Sequence, residues 1–335
     1  MGVTIKDVAA RAGVSISTVS RVLNEKGIVA SDKERRVLEA VEELQFVPSA
    51  IAQSLKQKRT KTIGLLVGNF GVSFFGGILR ILENGVQNEY QIIGGNIYED
   101  GEKEALLTEN MVRSRVDILI VNPTGLNNER LCEIQSSGTP VLAYDRHPEN
   151  REFPAVYVNK KHGIYELLTY YYQLGHRRIC PRQLYTNIDR QAGVDQFASE
   201  HPDVSIRCYY DEFSESFGYQ MFQQTAYGED APTAYIAGSI AIAEGIMLYC
   251  NSHNIVIPRD VSLASFGTFQ HANLIHPTLL HVDDEYRTIG EQLLAWVRMI
   301  INEKGVLPSS EKVIPPRLVL GESSGAPRTG CLLKE

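Results

Sequence analysis

The 335-residue sequence contains no run of about 18 consecutive apolar residues, so it predicts no membrane-spanning helix. Its first residues, MGVTIKDVAARAG, are polar and charged, and we expect no signal peptide because such a peptide needs a longer apolar stretch. The five cysteines are scattered and show no CxxC spacing. This pattern argues against disulfides and structural zinc and favours a reducing compartment, so we expect a cytoplasmic protein.

Several motifs of common enzyme classes are also missing. The sequence has no G-x-G-x-x-G fingerprint, no P-loop and no H-E-x-x-H. HVDDEYR (281–287) has consecutive acids typical of a solvated helix start, without the spacing of metal ligands. GHRRIC contains His176 and Cys180, but a Cys-His nucleophile needs a third, orienting group that the sequence does not indicate. We therefore expect no enzyme activity, no metal site and no cofactor.

Charge is distributed unevenly along the chain. The whole sequence has a net charge of −7, with 43% apolar and 22% charged residues, which is typical of a soluble globular protein of two or three domains. Residues 1–62 hold eleven basic and seven acidic residues, a net charge of +4, and the remainder holds 22 basic and 33 acidic residues, a net charge of −11. A basic head on an acidic body is expected when only the head contacts a polyanion.

The first 46 residues predict three short helices. Thr4 and Asp7 form a capping-box pattern at the start of the first helix, and Gly13 ends it. Ser15 is the predicted cap of the second helix, and Ser31 is the predicted cap of the third. Two helices separated by the turn AGVS match a helix-turn-helix, in which the second helix lies in the major groove of DNA.

The predicted second helix, within VSISTVSRVLN (14–24), has two different faces. Val19, Val22 and Leu23 form an apolar stripe at helical spacing. The other face carries three short hydroxyls and one guanidinium: Ser17, Thr18, Ser20 and Arg21. Short hydroxyls allow close approach to phosphates or base edges, and arginine reaches guanine bidentately. A protein-interaction module is the alternative, but the turn, hydroxyls, arginine and local charge together favour DNA.

The segment FVPSAIAQSLKQKRT (46–60) predicts a short helix that is marginal in isolation. Pro48 suits the first helical position, and eight or so residues fall short of the roughly 12 to 15 that an isolated helix needs. The lysines and arginine near its end suggest ordering on DNA, with Leu55 as an apolar wedge in the minor groove. A plain linker without contacts of its own explains the residues about equally well.

Three stretches, VTIKDVAARAGVSISTVSRVLN, RVLEAVEELQFVPSAIAQSL and TKTIGLLV, resemble the lactose-repressor (LacI/GalR) family of bacterial transcription regulators. The resemblance covers nearly the whole chain. It implies phosphate contacts by Thr4, Ser15, Thr18 and Asn24. It implies base contacts by Ile16, Ser17 and Arg21. It also implies that Leu55 is the minor-groove lever, with Ala52 beside it on the hinge helix, whereas Ser49 replaces the usual Asn.

From Thr62 onward, β-rich runs alternate with amphipathic stretches. The predicted strands are TIGLLV, QIIGGN, DILIVN, PVLAYD, AVYVN, TAYIAG and VSLASF. The predicted helical stretches include 77–90, 102–114, 162–174, 240–253 and 286–303. Such alternation predicts doubly wound parallel sheets, and about 270 residues suit two lobes with a ligand crevice at the carboxyl ends of the strands. The resemblance implies the same periplasmic-binding-protein-like body.

Two charged residues are candidates for the crevice. Asp145 closes the strand PVLAYD, where a carboxylate can bind ligand hydroxyls, and Arg190 matches the R-x-x-G arginine of the family. A surface position or a lobe-packing ion pair is the alternative for each. Phe74, in the glycine-rich run GNFGVSFFGG (68–77), is a further candidate effector contact.

Departures from the family pattern concern the same crevice. Ser239 and Ile240 stand where many members have Asn-Asp, and Gly267 and Thr268 stand where an Asp-Asp is usual. Fewer carboxylates together with the retained arginine suggest an anionic effector, a sugar phosphate or sugar acid, for which Gly267 makes room. The alternatives are a neutral sugar bound through other groups, or a pocket that has lost its ligand.

We therefore expect an all-α helix-turn-helix head and an α/β body of two doubly wound parallel-sheet lobes. The expected domains are a DNA-binding domain at 1–46, a hinge helix and linker at 47–61, an effector-binding and dimerisation domain at 62–325 and a flexible tail at 326–335. The tail lacks the heptads of a tetramerising coil, so a homodimer is expected.

The predicted function is a ligand-responsive regulator, most simply a repressor of carbohydrate-related genes, on a pseudo-palindromic double-stranded DNA operator. Two alternatives share the body fold. A solute-binding protein fits poorly with the basic head and the absent secretion signal, and a Rossmann-like enzyme fits poorly with the absent glycine fingerprint.

Overall fold

A computed structural model describes residues 3–23, 29–46, 59–87, 89–146, 153–183, 188–210, 214–267, 276–303, 306–307, 311–330 and 332. The chain divides into two compact units, Met1–Lys61 and Thr62–Glu335, which we call the head and the body. Within the described residues, no helix combines the length and the apolarity that crossing a bilayer requires.

The head consists, over its described part, of helices α1 (Ile5–Ala12), α2 (Ile16–Leu23) and α3 (Ser31–Glu43). One valine from each helix is fully buried where the three meet: Val8, Val19 and Val37. Gly13 ends α1 with a φ of 62°, the left-handed conformation that glycine adopts without a steric penalty. The three predicted helices are therefore confirmed.

One predicted cap in the head is wrong. Helix α3 begins at Ser31 itself, so the capping position belongs to Ala30, whose side chain makes no cap hydrogen bond. Ser31 consequently lies in the first turn, where its hydroxyl is no longer placed to accept from the next free N–H groups.

The described body residues form thirteen strands. They are β1 (Thr62–Val67), β2 (Gln91–Asn96), β3 (Ile118–Val121), β4 (Val141–Tyr144), β5 (Ala155–Val158), β6 (Arg178–Gln183), β7 (Ser205–Ile206), β8 (Tyr209–Tyr210), β9 (Ala234–Ala237), β10 (Ser262–Phe266), β11 (Leu280–Asp283), β12 (Lys312–Ile314) and β13 (Arg317–Val319). Eight helices accompany them: α4 (Ser73–Val86), α5 (Gly101–Arg113), α6 (Asn128–Ser136), α7 (Lys160–Gln173), α8 (Ile188–Glu200), α9 (Glu215–Thr225), α10 (Ile240–Ser252) and α11 (Tyr286–Asn302).

The strands form two sheets, one in each lobe of the body. The first sheet has the order β12-β5-β4-β3-β1-β2, and all of its strands are parallel. The second has the order β13-β11-β10-β9-β6-β7, with β8 beside β6, and only β13 among these described strands runs antiparallel to its neighbour. The chain passes between the lobes after β5, after β11 and after β12.

Each sheet is covered on both faces. In the first lobe, α4 and α11 pack on one face through Leu82 and Trp296, and α5 and α6 pack on the other through Met111 and Leu131. In the second lobe, α9 and α10 cover one face and α7 and α8 the other. Strands that are buried on both faces are largely apolar, as in TIGLLV and ILIV. The predicted two-lobed, doubly wound architecture is confirmed.

Some elements escaped prediction. Strand β6 lies inside the second sheet between β9 and β7, yet Pro181 interrupts its sequence, and proline is rare in central strands because it cannot donate to the ladder. Helices α6, α8 and α9 and strands β7, β8, β11, β12 and β13 were also not predicted, since short segments give weak periodic signals.

The carboxyl-terminal segment after Gly321 is bonded to the second lobe over its described part, and Arg328 of the tail expected to be flexible (326–335) takes part in this bonding. The fully buried Ser323 accepts a hydrogen bond from Leu280 N at 2.9 Å and donates to Leu263 O at 2.5 Å. Beyond it, Arg328 donates to Asp260 O at 3.0 Å. The polar composition of this segment reflects these specific hydrogen bonds. Such hydrogen bonds leave no periodic pattern in the sequence from which they could be predicted.

Candidate DNA-binding face and effector crevice

Helix α2 turns its two faces in the directions that the sequence predicts. Val19 is fully buried, whereas Ile16 is 45% exposed, and Ser17 and Arg21 are exposed as well. Arg21 is therefore a hydrated guanidinium on the polar face of a helix whose other face packs against α1 and α3. A surface of this kind is suited to contact base edges and phosphates.

The hydroxyls at the start of α2 are organised by one residue. Ser15 Oγ accepts a hydrogen bond from Thr18 N at 3.2 Å, which confirms its predicted capping role. The same oxygen lies 2.8 Å from Ser17 Oγ and 2.9 Å from Thr18 Oγ1. These three side chains thus form one compact hydroxyl cluster beside the exposed face.

Of the remaining residues that the resemblance assigns to DNA contacts, the structure describes Thr4 but not the other three. Thr4 is exposed, and both its N and its Oγ1 donate to Asp7 Oδ2, at 2.8 and 2.7 Å. Those hydrogen bonds lower the pKa of Asp7, so a contact from Thr4 to phosphate requires its hydroxyl to turn away from a charged partner. Asn24, Ala52 and Leu55 lie outside the described residues.

In the body, an ion pair joins the two lobes at the carboxyl edge of the first sheet. Asp145 directly follows β4 and has a φ of 65°, in the left-handed region. Its Oδ1 lies 2.7 Å from Nζ of Lys160, the first residue of α7 in the second lobe, and its Oδ2 accepts from Asn122 Nδ2 at 3.3 Å. The side chains of Asp145 and Lys160 are only 15% and 14% exposed.

Arg190 lies in the first turn of α8 in the second lobe, and its charge acts on Asp145. Its guanidinium donates to Gly238 O at 2.8 Å and stacks over the ring of Phe266 at 3.9 Å. Gly238 and Phe266 stand at the carboxyl ends of β9 and β10. Arg190 is 6% exposed, so it is a buried cation held at the edge of the second sheet.

These charges act on one another. Burial works to raise the pKa of Asp145, but the charge and hydrogen bond of Lys160, followed by the charges of Arg146 and Arg190, hold it below its usual value. Asp145 is therefore ionised at neutral pH. Burial is the main cause that lowers the pKa of Lys160, which the carboxylate of Asp145 opposes and the charge of Arg190 reinforces.

Each of the other three predicted effector residues, Ser239, Gly267 and Phe74, has a structural role in the fold. Ser239 caps α10, with its hydroxyl accepting from Ile242 N at 3.5 Å. Gly267 follows β10 with a φ of 104°, so its backbone conformation accounts for the glycine there. Phe74 is 5% exposed and stacks 6.4 Å from the ring of Tyr144, within the core of the first lobe. It supports the residue that precedes Asp145 and presents little surface of its own.

Three crevice residues were missed from sequence. Lys160 and Asn122 contact Asp145, and Arg146 pairs with Glu99 while donating to Pro123 O. Their position in the sequence could have identified them. Asn122, Arg146 and Lys160 each lie within two residues of the carboxyl end of a strand in the first sheet. Ligands of open α/β sheets bind at that edge.

The other reactive clusters serve the fold. His176 Nδ1 lies 2.8 Å from Thr233 Oγ1 and its Nε2 lies 2.9 Å from Gly325 O, so both ring nitrogens have partners other than Cys180. In HVDDEYR, Asp283 and Glu285 pair with Arg317. No group of three His, Cys, Asp or Glu side chains arranged for a metal occurs among the residues that the structure covers.

GESSG (321–325) matches the G-x-S-x-G spacing of serine hydrolases. Its central Ser323 is fully buried, and its hydroxyl is bonded to the backbone of β10 and β11. A nucleophile elbow instead exposes its serine on a turn between a strand and a helix, so this match has a structural role.

Comparison with known proteins agrees with both halves of this description. Residues 4–49 match the model of bacterial regulatory proteins of the lacI family, and residues 168–324 match that of a periplasmic binding protein-like domain. Over 327 residues the chain is 31% identical to the HTH-type transcriptional repressor PurR of Klebsiella pneumoniae (strain 342), covering 94% of this chain and 95% of that protein. PurR of Escherichia coli O1:K1 gives the same identity and coverage.

Solved structures share the fold. A LacI-family transcriptional regulator from Silicibacter pomeroyi superposes with a TM-score of 0.83 at 21% identity, covering 96% of this chain and 99% of that one. The lac repressor dimer bound to operator and the anti-inducer ONPF gives a TM-score of 0.81 at 21% identity, covering 97% and 100%. The Cra transcriptional dual regulator of Pseudomonas putida with fructose 1-phosphate gives 0.68 at 20%, covering 77% and 98%.

A helix-turn-helix head joined to a periplasmic-binding-protein-like body defines a bacterial transcriptional regulator. The chain belongs to the LacI family. Its relatives are DNA-binding transcriptional regulators that respond to small molecules, and the family resemblance inferred from the sequence is confirmed.

Proposed function

We propose that this protein is a repressor of carbohydrate-related genes that binds a pseudo-palindromic operator as a homodimer and is controlled by a small molecule bound between the two lobes. The observation that carries the proposal is the exposed polar face of α2, with Ser17 and Arg21 directed away from a core centred on Val19. Two such heads in a symmetric dimer read two half-sites.

The proposed roles of the head residues are those that the family resemblance implies. Arg21, with Ile16 and Ser17, reads base edges, while Thr4, Ser15, Thr18 and Asn24 contact phosphates. Leu55, beside Ala52 on the hinge, inserts into the minor groove. The net charge of +4 over residues 1–62 supports this assignment because phosphate contacts dominate the affinity of DNA-binding proteins.

The crevice between the lobes is the proposed effector site. It brings together Asp145, Lys160 and Arg190 from the facing edges of the two sheets, which is the location where α/β proteins bind ligands. Ser239 and Gly267 border the same edge of the second sheet. Because these residues reach the crevice from both lobes, a ligand that contacts them changes the relative stability of two lobe arrangements, which is the requirement for allosteric control.

The carbohydrate assignment rests on the polar chemistry of the crevice. Carboxylate, amide and ammonium groups bind hydroxyls. The guanidinium of Arg190 stacks on the ring of Phe266, so it covers one apolar face at this edge of the sheet. A solved structure with the same fold, a LacI family transcriptional regulator from Enterococcus faecium, contains bound ribose, and the Cra structure contains fructose 1-phosphate. These neighbours support a carbohydrate effector for this chain.

Operator recognition is tested by replacing one arginine. Operator fragments are first selected from genomic DNA with the full-length protein, and Arg21→Ala is then compared with the parent by gel shift on operator and random duplex. We expect operator affinity to fall by about 1–3 kcal/mol, with discrimination relaxed at one base pair in each half-site.

The matched control is Arg35→Ala, because Arg35 is an exposed arginine of α3 that already pairs with Asp32 and Glu39. It removes the same charge from the head and should change operator affinity much less. An equal loss on operator and random DNA for Arg21→Ala makes Arg21 a phosphate contact, and failure to select any fragment refutes the proposed function.

A further inference from the structure

The chain crosses from the second lobe to the first between β11, which ends at Asp283, and α11, which begins at Tyr286. The ring of Tyr286 packs on α4 at Gly77, where an added Cβ would lie 2.4 Å from Tyr286 Cδ2. We propose that Tyr286, seated on Gly77, is a positioning residue that fixes the arrangement of the two lobes and thereby sets operator affinity. This inference rests on the proposed function, in which the lobe arrangement controls DNA binding.

Gly77 admits the tyrosine ring because it has no side chain. A Cβ at this position would also lie 2.6 Å from Tyr286 Cε2, so an alanine here must displace the ring. Alanine stabilises a helix interior relative to glycine, so a glycine within the 14-residue α4 indicates a packing requirement. The neighbouring Gly76 has no such requirement, since a Cβ there would meet no atom from elsewhere in the described chain within 4 Å.

The residues just before Tyr286 are attached to the second lobe. Arg317, the first residue of β13, pairs with both Asp283 and Glu285, and its Nε lies 2.8 Å from Glu285 Oε1. Glu285 N also donates to Asp283 Oδ1 at 2.9 Å. The chain is therefore held by the second lobe as far as Glu285 and by the first lobe from Tyr286 onward.

Glu285 has the backbone conformation expected of a pivot. Its φ of 51° lies in the left-handed region, which costs free energy for a residue other than glycine and persists only where the surroundings fix it. Hinges are a few element-terminal residues whose φ and ψ absorb the movement of two rigid parts. Glu285 is such a residue, because it directly precedes α11 and lies between the two attachments.

Contacts among the three crossings transmit a change at one of them to the others. Asn159 N, in the crossing after β5, donates to Ile314 O at 2.9 Å, next to the crossing after β12. Gly163 in the first turn of α7 lies against residues at the other two crossings, since a Cβ there would be 3.1 Å from Val282 Cγ1 and 3.3 Å from Pro316 Cβ. The crossings thus form one contiguous hinge, and loosening one of them should loosen all three.

A second glycine of α4 makes a comparable contact away from the crossing. A Cβ on Gly85 would lie 2.3 Å from Leu294 Cδ1 of α11. This contact is roughly 12 Å further along the two helices, at about 1.5 Å per residue, so it is remote from Glu285. Packing between α4 and α11 alone predicts the same result for substitutions at Gly77 and Gly85, whereas the positioning role predicts a difference.

The test compares Gly77→Ala and Tyr286→Ala in the full-length protein with two controls. Gly85→Ala strains the same helix pair, and Gly76→Ala adds the same methyl group one residue away. Amide hydrogen exchange is followed by mass spectrometry in residues 157–160 and 312–317, relative to α10 in the core of the second lobe. We expect exchange at these two crossings to be at least about fivefold faster in both test variants and to stay within about twofold of the parent in both controls.

Operator affinity is measured on the same preparations by gel shift. A variant with an altered balance of lobe arrangements should differ from the parent in operator affinity by at least about fivefold, the lower end of typical allosteric coupling. Gly76→Ala and Gly85→Ala should remain within about twofold of the parent. Tyr286→Ala covers the case in which Gly77→Ala does not fold, because it removes the ring without creating a clash.

Equal exchange in Gly77→Ala and Gly85→Ala, or unchanged operator affinity in Tyr286→Ala, overturns the inference. Failure of the proposed function gives a different result. Absence of any specific DNA binding by the parent refutes the proposed function, while faster exchange at the crossings in both test variants still supports the role of Tyr286 in the lobe arrangement. Specific DNA binding by the parent, with equal exchange in the two glycine variants, leaves the proposed function intact and refutes the role of Tyr286.

Discussion

The polar face of α2 and the polar crevice of the body are built in opposite ways. Arg21 and Ser17 on α2 are exposed, with Ser17 beside the hydroxyl of Ser15, whereas Asp145, Lys160 and Arg190 are each 15% exposed or less and are held by named partners. The residue type at an exposed position can be determined by the ligand alone, because packing in the fold does not constrain it. A buried charge must satisfy the fold as well, because an unpaired one is strongly destabilising. Changes in the head should therefore separate binding from stability, and changes in the crevice should couple them.

The largest expected effect is the loss of a buried partner. Asp145→Asn removes the carboxylate that pairs with Lys160 and leaves the ammonium largely buried. We expect the free energy of unfolding of the body to fall by about 3 kcal/mol, at the low end for breaking a buried pair because both side chains retain some exposure. Urea unfolding followed by tryptophan fluorescence measures it, since Trp296 lies in the first lobe.

Glu109→Gln is the matched control, because Glu109 and Arg130 form an ion pair at 2.7 Å with side chains that are 37% and 43% exposed. A much smaller loss of stability is expected there, because solvent screens an exposed ion pair. If both variants lose the same stability, the crevice pair behaves as a surface pair and the contrast with the head disappears.

Ser15 in the head is expected to stabilise the fold, unlike the exposed Ser17 on the same helix. Ser15→Ala removes the acceptor of the Thr18 N–H and should destabilise the head by about 1 kcal/mol. Ser17→Ala on the same helix removes an exposed hydroxyl that caps nothing and should change stability by less than about 0.5 kcal/mol. Thermal unfolding by circular dichroism distinguishes them. A larger loss for Ser17→Ala would contradict the division between capping and reading residues.

The smallest expected effect is a difference in pH dependence. Burial lowers the pKa of His176, which Gly325 O partly opposes, so the unfolded chain binds a proton at higher pH than the folded one. Its contribution to stability is complete above about pH 6.5 and decreases as the pH falls through the lower folded pKa, by at most about 1.4 kcal/mol per unit. The head contains no histidine, so its unfolding should be nearly constant from pH 8 to 6.

His176→Gln should flatten the pH dependence of body unfolding between pH 7 and 5.5. Urea midpoints at several pH values give the slopes. Identical slopes for His176→Gln and the parent would assign the dependence to other groups.

Sequence predicted those features whose determinants lie close together in the chain. The turn at Gly13, the cap at Ser15 and the outward face of Arg21 all fall within twenty residues and follow local rules. Six of the seven predicted strands are buried, largely apolar runs that give strong signals, and the seventh, β2, is a partly exposed edge strand. The two-lobed fold followed from their alternation with helices.

Other features depend on placement that no local rule gives. The pairing of Lys160 with Asp145 requires that α7 start in the second lobe and point its first residue back to the first. The buried hydroxyl of Ser323 fits between β10 and β11, which precede it by about forty to sixty residues. Pro181 stands inside a strand that its sequence argues against. In each case tertiary contacts override or supplement the local pattern.

Strands β12 and β13 are separated by only two residues, and each completes the edge of a different sheet. The ribosome synthesises the chain from its amino end. Neither lobe can therefore complete its sheet until the same short segment has emerged from the ribosome. Until then β5 and β11 present open edges on which a neighbouring nascent polypeptide can add a strand. We expect a chain stopped before Lys312 to be retained by chaperones and to aggregate, and both lobes to mature together once residues 312–319 emerge.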